Sequence, residues 1–455
     1  MNQELWNRIL AFDFDYPHSE YGFTTRLAKE NFWTKKFTTD AILEYKKFMF
    51  LAAISNTMVS PSETVDVVWH QHLIFTKSYY KFCEILGKQI QHIPSTHNKE
   101  DFEKFKQAKE QTKILYEKEF GIQPENIWKF NNMFESLNLE KAKYKLRTFI
   151  NFGIIAFVFS IFPAYFILNP FYVRIEGSAF IFLFFVLAFM VFFVLEIYNK
   201  NKLNQLISEI DKTSFLYELS PNELIYLKKQ NLVNVINVSI NELIKENVIK
   251  ITDNRQIVLL KNEPIKSIEA FQIISLFPKN KTIAYSNLIS RLKFKPIFSN
   301  TGNSMDAVLK FITKSKKFNS LFYINFLFVA VLILLAFTRI ITGLIHSKNI
   351  LIIITLTIFL IIYSISFLNR LVKKVSTNII PKYYMNHLIP KEKKESEWDY
   401  FLLGSSALLW TFKPIAEEFI TEKNHSGSCS SCGTSCGTSC GTSCGSCGGC
   451  SGCGS

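Results

Sequence analysis

The sequence predicts a mainly α-helical chain. It should hold a helical domain, four transmembrane helices in two hairpins, a small winged-helix-like α+β domain between them and a disordered tail. Three observations carry this. Four runs of 18 to 20 residues contain no charged side chain: Phe149–Leu168, Ser178–Leu195, Ser320–Thr338 and Ile350–Asn369. A helix rises about 1.5 Å per residue, so roughly 20 apolar residues cross a ~30 Å hydrocarbon core. The segments outside the runs carry capped helix starts and helical apolar spacing, and the chain ends in a repeat of Cys, Gly, Ser and Thr. Phe, at 44 residues, is concentrated in the runs, which points to lipid rather than to one large buried core.

Residues 1–140 read as a helical domain. The first residues, MNQELWNRILAFDFDYPHSE, lack a basic stretch followed by an apolar one. The expectation is therefore no cleavable signal peptide, with the first span directing insertion. Thr38–Thr57 has helical spacing at Ile42, Tyr45, Met49, Ala52 and Ala53. Ser60-Pro61-Ser62-Glu63 is a capping box with Pro at the first helical position. It should start one helix running through VDVVWHQHLIFTKSYYKFCEIL to Gly87. Pro94 biases QIQHIPST toward an extended connector. A polar helix from about Asn98 to Phe120 should follow and stop at Gly121.

Residues 148–198 and 320–369 form the two hairpins. Lys and Arg fix their orientation. Lys141, Lys143, Lys145 and Arg147 precede the first span, Lys200 and Lys202 follow the second, Lys310, Lys314, Lys316 and Lys317 precede the third, and Arg370, Lys373 and Lys374 follow the fourth. The hairpin loops hold Arg174 and Lys348, with Arg339 at the end of the third span. This bias puts both termini in the cytoplasm of a bacterial inner membrane. The net charge of +14 then needs no nucleic acid, since much of the excess faces anionic headgroups.

Residues 200–317 read as a second soluble unit. Ser220-Pro221-Asn222-Glu223 is another capped start, followed by a helix near Val235–Asn247 and two β-type runs in VIKITDNRQIVLL joined at Asp253-Asn254. Helix, helix, hairpin resembles a small winged-helix unit. Ser267–Phe277, Thr282–Leu292 and Asn303–Lys317 supply further helices. Residues 370–425 form a basic linker with an apolar stretch, Trp398–Trp410, too short to span and suited to docking or an interface. Residues 426–455 form the low-complexity tail.

The stretches FTTRLAKE (23–30), EYKKF (44–48), SPSETVDVVWHQHL (60–73), TKSYY (76–80), Phe82-Cys83, His92-Ile93-Pro94, and Phe120-Gly121 with Ile127-Trp128 lie in order over roughly residues 20–130. This region resembles the glycine-rich domain proteins. It departs after the His-x-Pro, where that family usually has a Thr and a Gly-Gly pair and this chain reads STHNKE (95–100). Residues 140–455 are similar to an uncharacterised family of bacterial four-span proteins with a Gly/Cys-rich tail. LSPNELIYL (219–227) carries that likeness, although Lys228-Lys229-Gln230 stands where a Gly-Gly usually follows. Neither resemblance implies an activity.

The candidate chemistry lies in histidines and cysteines. On a helix Asp66 and His70 share a face, whereas His72 points roughly 200° from His70, toward Val65, Val68 and Tyr79. Asp66, His70, His72 and His92 are the candidate metal ligands, with Asp66, His70 and His92 making a two-His, one-carboxylate set suited to Zn²⁺ or Fe²⁺. The alternatives are a structural network, in which Asp66 holds the His70 ring and His92 bonds a backbone carbonyl, and metal-free catalysis. The tail offers Cys429, Cys432, Cys436, Cys440, Cys444, Cys447, Cys450 and Cys453, whose spacing lets neighbouring thiolates share Zn²⁺ or Cu(I). A disordered tail with redox-labile thiols is the other reading.

No HExxH, GxSxG or P-loop pattern marks a reaction. The would-be recognition helix carries only Glu242, Lys245 and Glu246 as charges, which disfavours nucleic acid. The spans hold almost no ionisable residue, which disfavours a transport path. The sequence therefore points to a membrane scaffold or interaction protein with lipid and protein partners. The alternative is a membrane-tethered metal-binding protein or metalloenzyme.

Overall fold

The computed structural model describes residues 2–93, 99–252, 254–260, 267–388 and 396–426. The eight tail cysteines, Pro94 of the connector and Asp253 of the expected hairpin turn lie outside the described residues.

Seven helices build the N-terminal unit: α1 (Gln3–Ala11), α2 (Phe23–Asn31), α3 (Lys35–Ile54), α4 (Glu63–Ile74), α5 (Thr76–Leu86), α6 (Lys99–Phe120) and α7 (Glu125–Trp128). α3 lies at the centre. Its Tyr45, Phe48, Met49, Phe50 and Leu51 are all buried, as a helix apolar on most sides requires. Thr34 caps it by accepting from the Phe37 amide.

The single helix expected to start at Pro61 under a Ser60 cap begins instead at Glu63, where Ser62 caps it by accepting from the Val65 amide, and it is two helices. At Phe75 (φ −87°, ψ 59°) the chain leaves helical geometry and restarts. The bend brings His72 Nε2 within 3.1 Å of Ser78 Oγ. Residues six apart lie on different faces of a straight helix. Gly87 then ends α5 with the left-handed backbone that glycine tolerates.

The first hairpin is α8 (Leu146–Tyr172) and α9 (Gly177–Ser208). The central unit follows as α10 (Pro221–Lys229), α11 (Leu232–Lys245), β1 (Ile249–Ile251), β2 (Gln256–Leu259), α12 (Ile268–Ile274), β3 (Thr282–Ala284), α13 (Tyr285–Leu292) and α14 (Pro296–Thr313). The strands form one small antiparallel sheet ordered β1-β2-β3, in which Ile257 opposes Ile251 on one side and Ile283 on the other. A helix was expected over all of Thr282–Leu292. Its first three residues pair with β2 instead, because a left-handed turn at Lys281 hands β-branched Thr282 and Ile283 to the open sheet edge. α14 starts earlier than its apolar spacing implies, with Pro296 at the first helical position.

The second hairpin is α15 (Lys316–Ile345) and α16 (Leu351–Lys374). A π-helical turn at Val375–Ile379 leads into α17 (Ile380–His387), and α18 (Ser396–Leu403) and α19 (Lys413–Ser426) follow. Among the described residues, four helices are long and apolar enough to cross a membrane. α8 runs parallel to α15: Phe149 stacks on Tyr323 near one end, and Arg339 reaches the Tyr172 carbonyl near the other. α9 runs back, so that Asn199 near its end meets Asn325 near the start of α15. Glu196 of α9 pairs with Lys374 of α16, and Phe192 packs on Phe367, so these two are also parallel. All four connections to the rest of the chain therefore leave from one end of the bundle. Outward side chains such as Phe159 and Phe162 are 75% and 71% exposed, a polarity suited to lipid.

α18 folds back onto the central unit. Tyr400 donates to Asn234 Oδ1 at 2.8 Å, Lys228 donates to the Phe401 carbonyl, and the Leu409 amide donates to Asn241.

Candidate functional site

The motif stretches of the N-terminal unit carry many polar side chains, and several have a packing role. Buried Glu44 accepts from Tyr116 at 2.8 Å, Trp128 Nε1 at 2.7 Å and Lys47 at 2.7 Å, tying α3 to α6 and α7. Lys46 donates to the carbonyls of Leu10 and Phe12 and so fixes the end of α1. Burial lowers the Lys46 pKa from its ordinary value.

His72 is fully buried. Its Nδ1 shares a hydrogen bond with Tyr45 at 2.9 Å and its Nε2 with Ser78 at 3.1 Å. Phe14, Phe23, Tyr79 and Phe82 surround the ring. Burial pushes its pKa down to about 3, so the ring is neutral at physiological pH. Ser78, His72 and Tyr45 stand in the order of nucleophile, base and orienting group. Burial makes the ring a weak base, which works against its taking the serine proton, and both ring nitrogens are engaged inside the core. The structure does not bring His72 to the other candidate ligands. It points into the core because α4 turns it away from His70.

Asp66, His70 and His92 do converge, with one ligand atom from each lying within 4.8 Å of the others. Asp66 and His70 sit one turn apart on α4, with His70 Nδ1 3.6 Å from Asp66 Oδ2. His92 comes from the connector after α5 and donates from Nε2 to Asp66 Oδ1 at 2.9 Å. The two imidazole rings are 4.4 Å apart. A cleft of about 620 Å³ opens beside them, lined by Ser60, Glu63, Trp69, Gln91 and Lys104 among others.

Positioning residues that the sequence reading did not single out hold His92 there. Trp69 Nε1 donates to Tyr79 Oη at 3.2 Å, and Tyr79 donates to the Ile90 carbonyl, two residues before His92. The Trp69 and His92 rings meet edge to face at 4.7 Å. The signal was present as aromatic residues within WHQH and TKSYY. Their spacing across the bend at Phe75 hid the contact.

A polar junction joins the N-terminal and central units. Glu223 of the α10 capping box accepts the Lys35 amide, and Lys35 Nζ pairs with Glu269 at 3.0 Å. Gln272 donates to the Glu20 carbonyl, and Lys295 pairs with the Glu20 carboxylate.

Residues 16–140 match a family model described as UCP032817-like. The matched residues span α2 to α7 and so contain the whole Asp66–His70–His92 cluster. The match carries that description and not that of the glycine-rich domain, and it names no reaction or ligand. No curated protein and no solved structure matches the chain.

Proposed function

We propose that this protein is a membrane scaffold or interaction protein, with four spans as anchor and two soluble units held at the cytoplasmic face of a bacterial inner membrane. One observation carries the reading. The hydroxyls of Thr338, Thr342, Thr357 and Ser364 all donate back to carbonyls of their own helices, and Arg339 is engaged by backbone carbonyls at a hairpin end. Polar groups in the spans thus serve the helices rather than a path for solute. The basic residues at the inner ends support the orientation.

The central unit reads as winged-helix-like, on the order helix, helix, hairpin. Its α11 is enclosed on most sides, with Val235, Ile236, Asn237, Val238, Ile240 and Asn241 buried, and α18 covers Asn234. A helix so enclosed does not suit a nucleic-acid groove, which favours protein partners. The likenesses to glycine-rich domain proteins and to the four-span family fit this architecture.

Reporter fusions at residues 172, 260, 347 and 425 test the topology. Alkaline phosphatase activity is expected at 172 and 347, and activity at 260 or 425 overturns the orientation. Reconstitution into liposomes tests the anchor: solute or ion flux above vesicle leak would sink it.

A metal-handling second reading is favoured by the convergence of Asp66, His70 and His92. The tail cysteines, Cys429 to Cys453, extend it with a soft-ion reservoir for Zn²⁺ or Cu(I). Equal metal uptake by the reduced full chain and by a chain lacking residues 426–455 would remove the tail from it.

A further inference from the structure

We propose that Asp66, His70 and His92 bind one divalent ion of the Zn²⁺ class and leave a coordination position open toward the adjoining cleft. The proposal rests on the metal-handling reading above, whose ligand set and open position it specifies, and does not depend on the anchoring role.

The spacing is what an ion needs. Two ligands at 2.0–2.1 Å from a tetrahedral ion stand about 3.3 Å apart. Here His92 Nε2 and Asp66 Oδ1 are 2.9 Å apart, His70 Nδ1 and Asp66 Oδ2 are 3.6 Å apart, and all three groups lie within 4.8 Å. The 3.6 Å contact is too long for a good hydrogen bond, so hydrogen bonding alone does not account for His70 facing Asp66. Closing separations of at most 4.8 Å to about 3.3 Å requires at most about 1.5 Å of relative movement.

The donor set is two imidazoles and a carboxylate, which suits Zn²⁺ and the borderline ions near it. Three protein ligands leave the fourth place to water or an exogenous ligand, the pattern of exchangeable rather than structural sites. Access fits that pattern. The His70 side chain is 57% exposed and that of Asp66 29%, and the cleft reaches Asp66 and His92.

The ligands are held before the ion arrives. α4 fixes Asp66 and His70, and the Trp69–Tyr79–Ile90 chain fixes the connector carrying His92. The other motif polar groups, Glu44, Tyr45, Lys46, Lys47 and His72, are committed to packing. Asp66, His70 and His92 instead converge beside the cleft, with His70 exposed.

The test uses the full chain in detergent, stripped with chelator, its thiols blocked with N-ethylmaleimide so that the tail takes up no ion. Zn²⁺ binding is read by equilibrium dialysis, and the coordination by the visible and X-ray absorption of bound Co²⁺. One equivalent of Zn²⁺ is expected, with Co²⁺ in a nitrogen and oxygen environment. Asp66→Ala, His70→Ala and His92→Ala should each weaken binding at least tenfold, and His18→Ala should leave it unchanged. His70 is exposed, so His70→Ala remains folded even if Asp66→Ala does not. Absence of stoichiometric Zn²⁺ binding, or binding unaltered in His70→Ala, overturns the proposal and leaves a hydrogen-bonded network in its place.

Discussion

The backbone amide of Lys35 lies 2.8 Å from Oε1 of Glu223, a residue 188 positions later. The same carboxylate accepts from the amide and hydroxyl of Ser220 through Oε2. One buried side chain thus satisfies free amides at the starts of two helices, α3 of the N-terminal unit and α10 of the central unit. Burial raises the Glu223 pKa, and the amides of Lys35 and Ser220 oppose that shift.

Removing this carboxylate should loosen both helix starts and the junction. Glu223→Ala is expected to lower stability by about 2–4 kcal/mol, one lost cap plus buried donors left unpaired. Glu223→Gln keeps one acceptor and should cost about half as much. Limited proteolysis near residues 30–36 and thermal melting in detergent read the effect. An Ala variant as resistant as wild type would show that the clasp adds nothing.

His72 gives a pH dependence with a defined sign. Its folded pKa, about 3, lies below its ordinary 6.5, so between these values the unfolded chain binds a proton that the folded chain refuses. Stability should therefore fall as pH drops below about 6.5, by up to about 1.4 kcal/mol per pH unit, and level off near pH 3. His72→Gln should be less stable at pH 7 yet lose this slope. Tryptophan fluorescence across pH 4–7 measures it. A wild-type slope matching that of His72→Gln would mean that the ring is not the titrating group.

The sequence made some of this legible and hid the rest for physical reasons. Uncharged runs of about 20 residues have one economical solution, so the four spans could be read directly. Asp66 and His70 share a face by helical spacing, and His92 was within reach once the chain turned back. The break at Phe75 was not legible, since nothing in LIFTKSYY stops a helix. Tertiary packing decided it, and with it the contact of His72 with Ser78. The pairing of Thr282–Ala284 with β2 was hidden in the same way, because a three-residue strand exists only beside its partner. The Lys35–Glu223 bond joins two local capping signals that the sequence displays separately.

Asn199 and Asn325 exchange a reciprocal pair of amide hydrogen bonds, at 2.8 and 2.7 Å, where the later part of α9 meets the early part of α15. Both are fully buried. Such pairs between membrane helices contribute about 0.6–2 kcal/mol. Asn199→Leu and Asn325→Leu should each destabilise by somewhat more, because each strands a buried amide. The double variant should be less destabilised than the sum of the two. Additive losses in detergent melts would argue against a direct pair.

Arg339 gives a last prediction, on the hairpin turn. Its guanidinium donates to the carbonyls of Tyr172 and, at 2.9 Å, Ile175, and it lies over the rings of Tyr172 and Phe180 at 5.5 and 4.8 Å. The C-terminal carbonyls of α8 have no partners within that helix, and a cation there also complements the helix dipole. A planar fork reaches two carbonyls and stacks between rings at once, whereas an ammonium is a single compact charge. Arg339→Lys should therefore keep the charge yet lose about half the benefit. Arg339→Leu should cost about 2–4 kcal/mol, from charge-assisted bonds of roughly 1.5–3 kcal/mol each offset by the removal of a charge from the membrane boundary. Melts of the three proteins in one detergent rank them. If Lys matches Arg, charge alone holds the turn, and if Leu matches Arg, the first hairpin is fixed to α15 by its apolar contacts without help from this side chain.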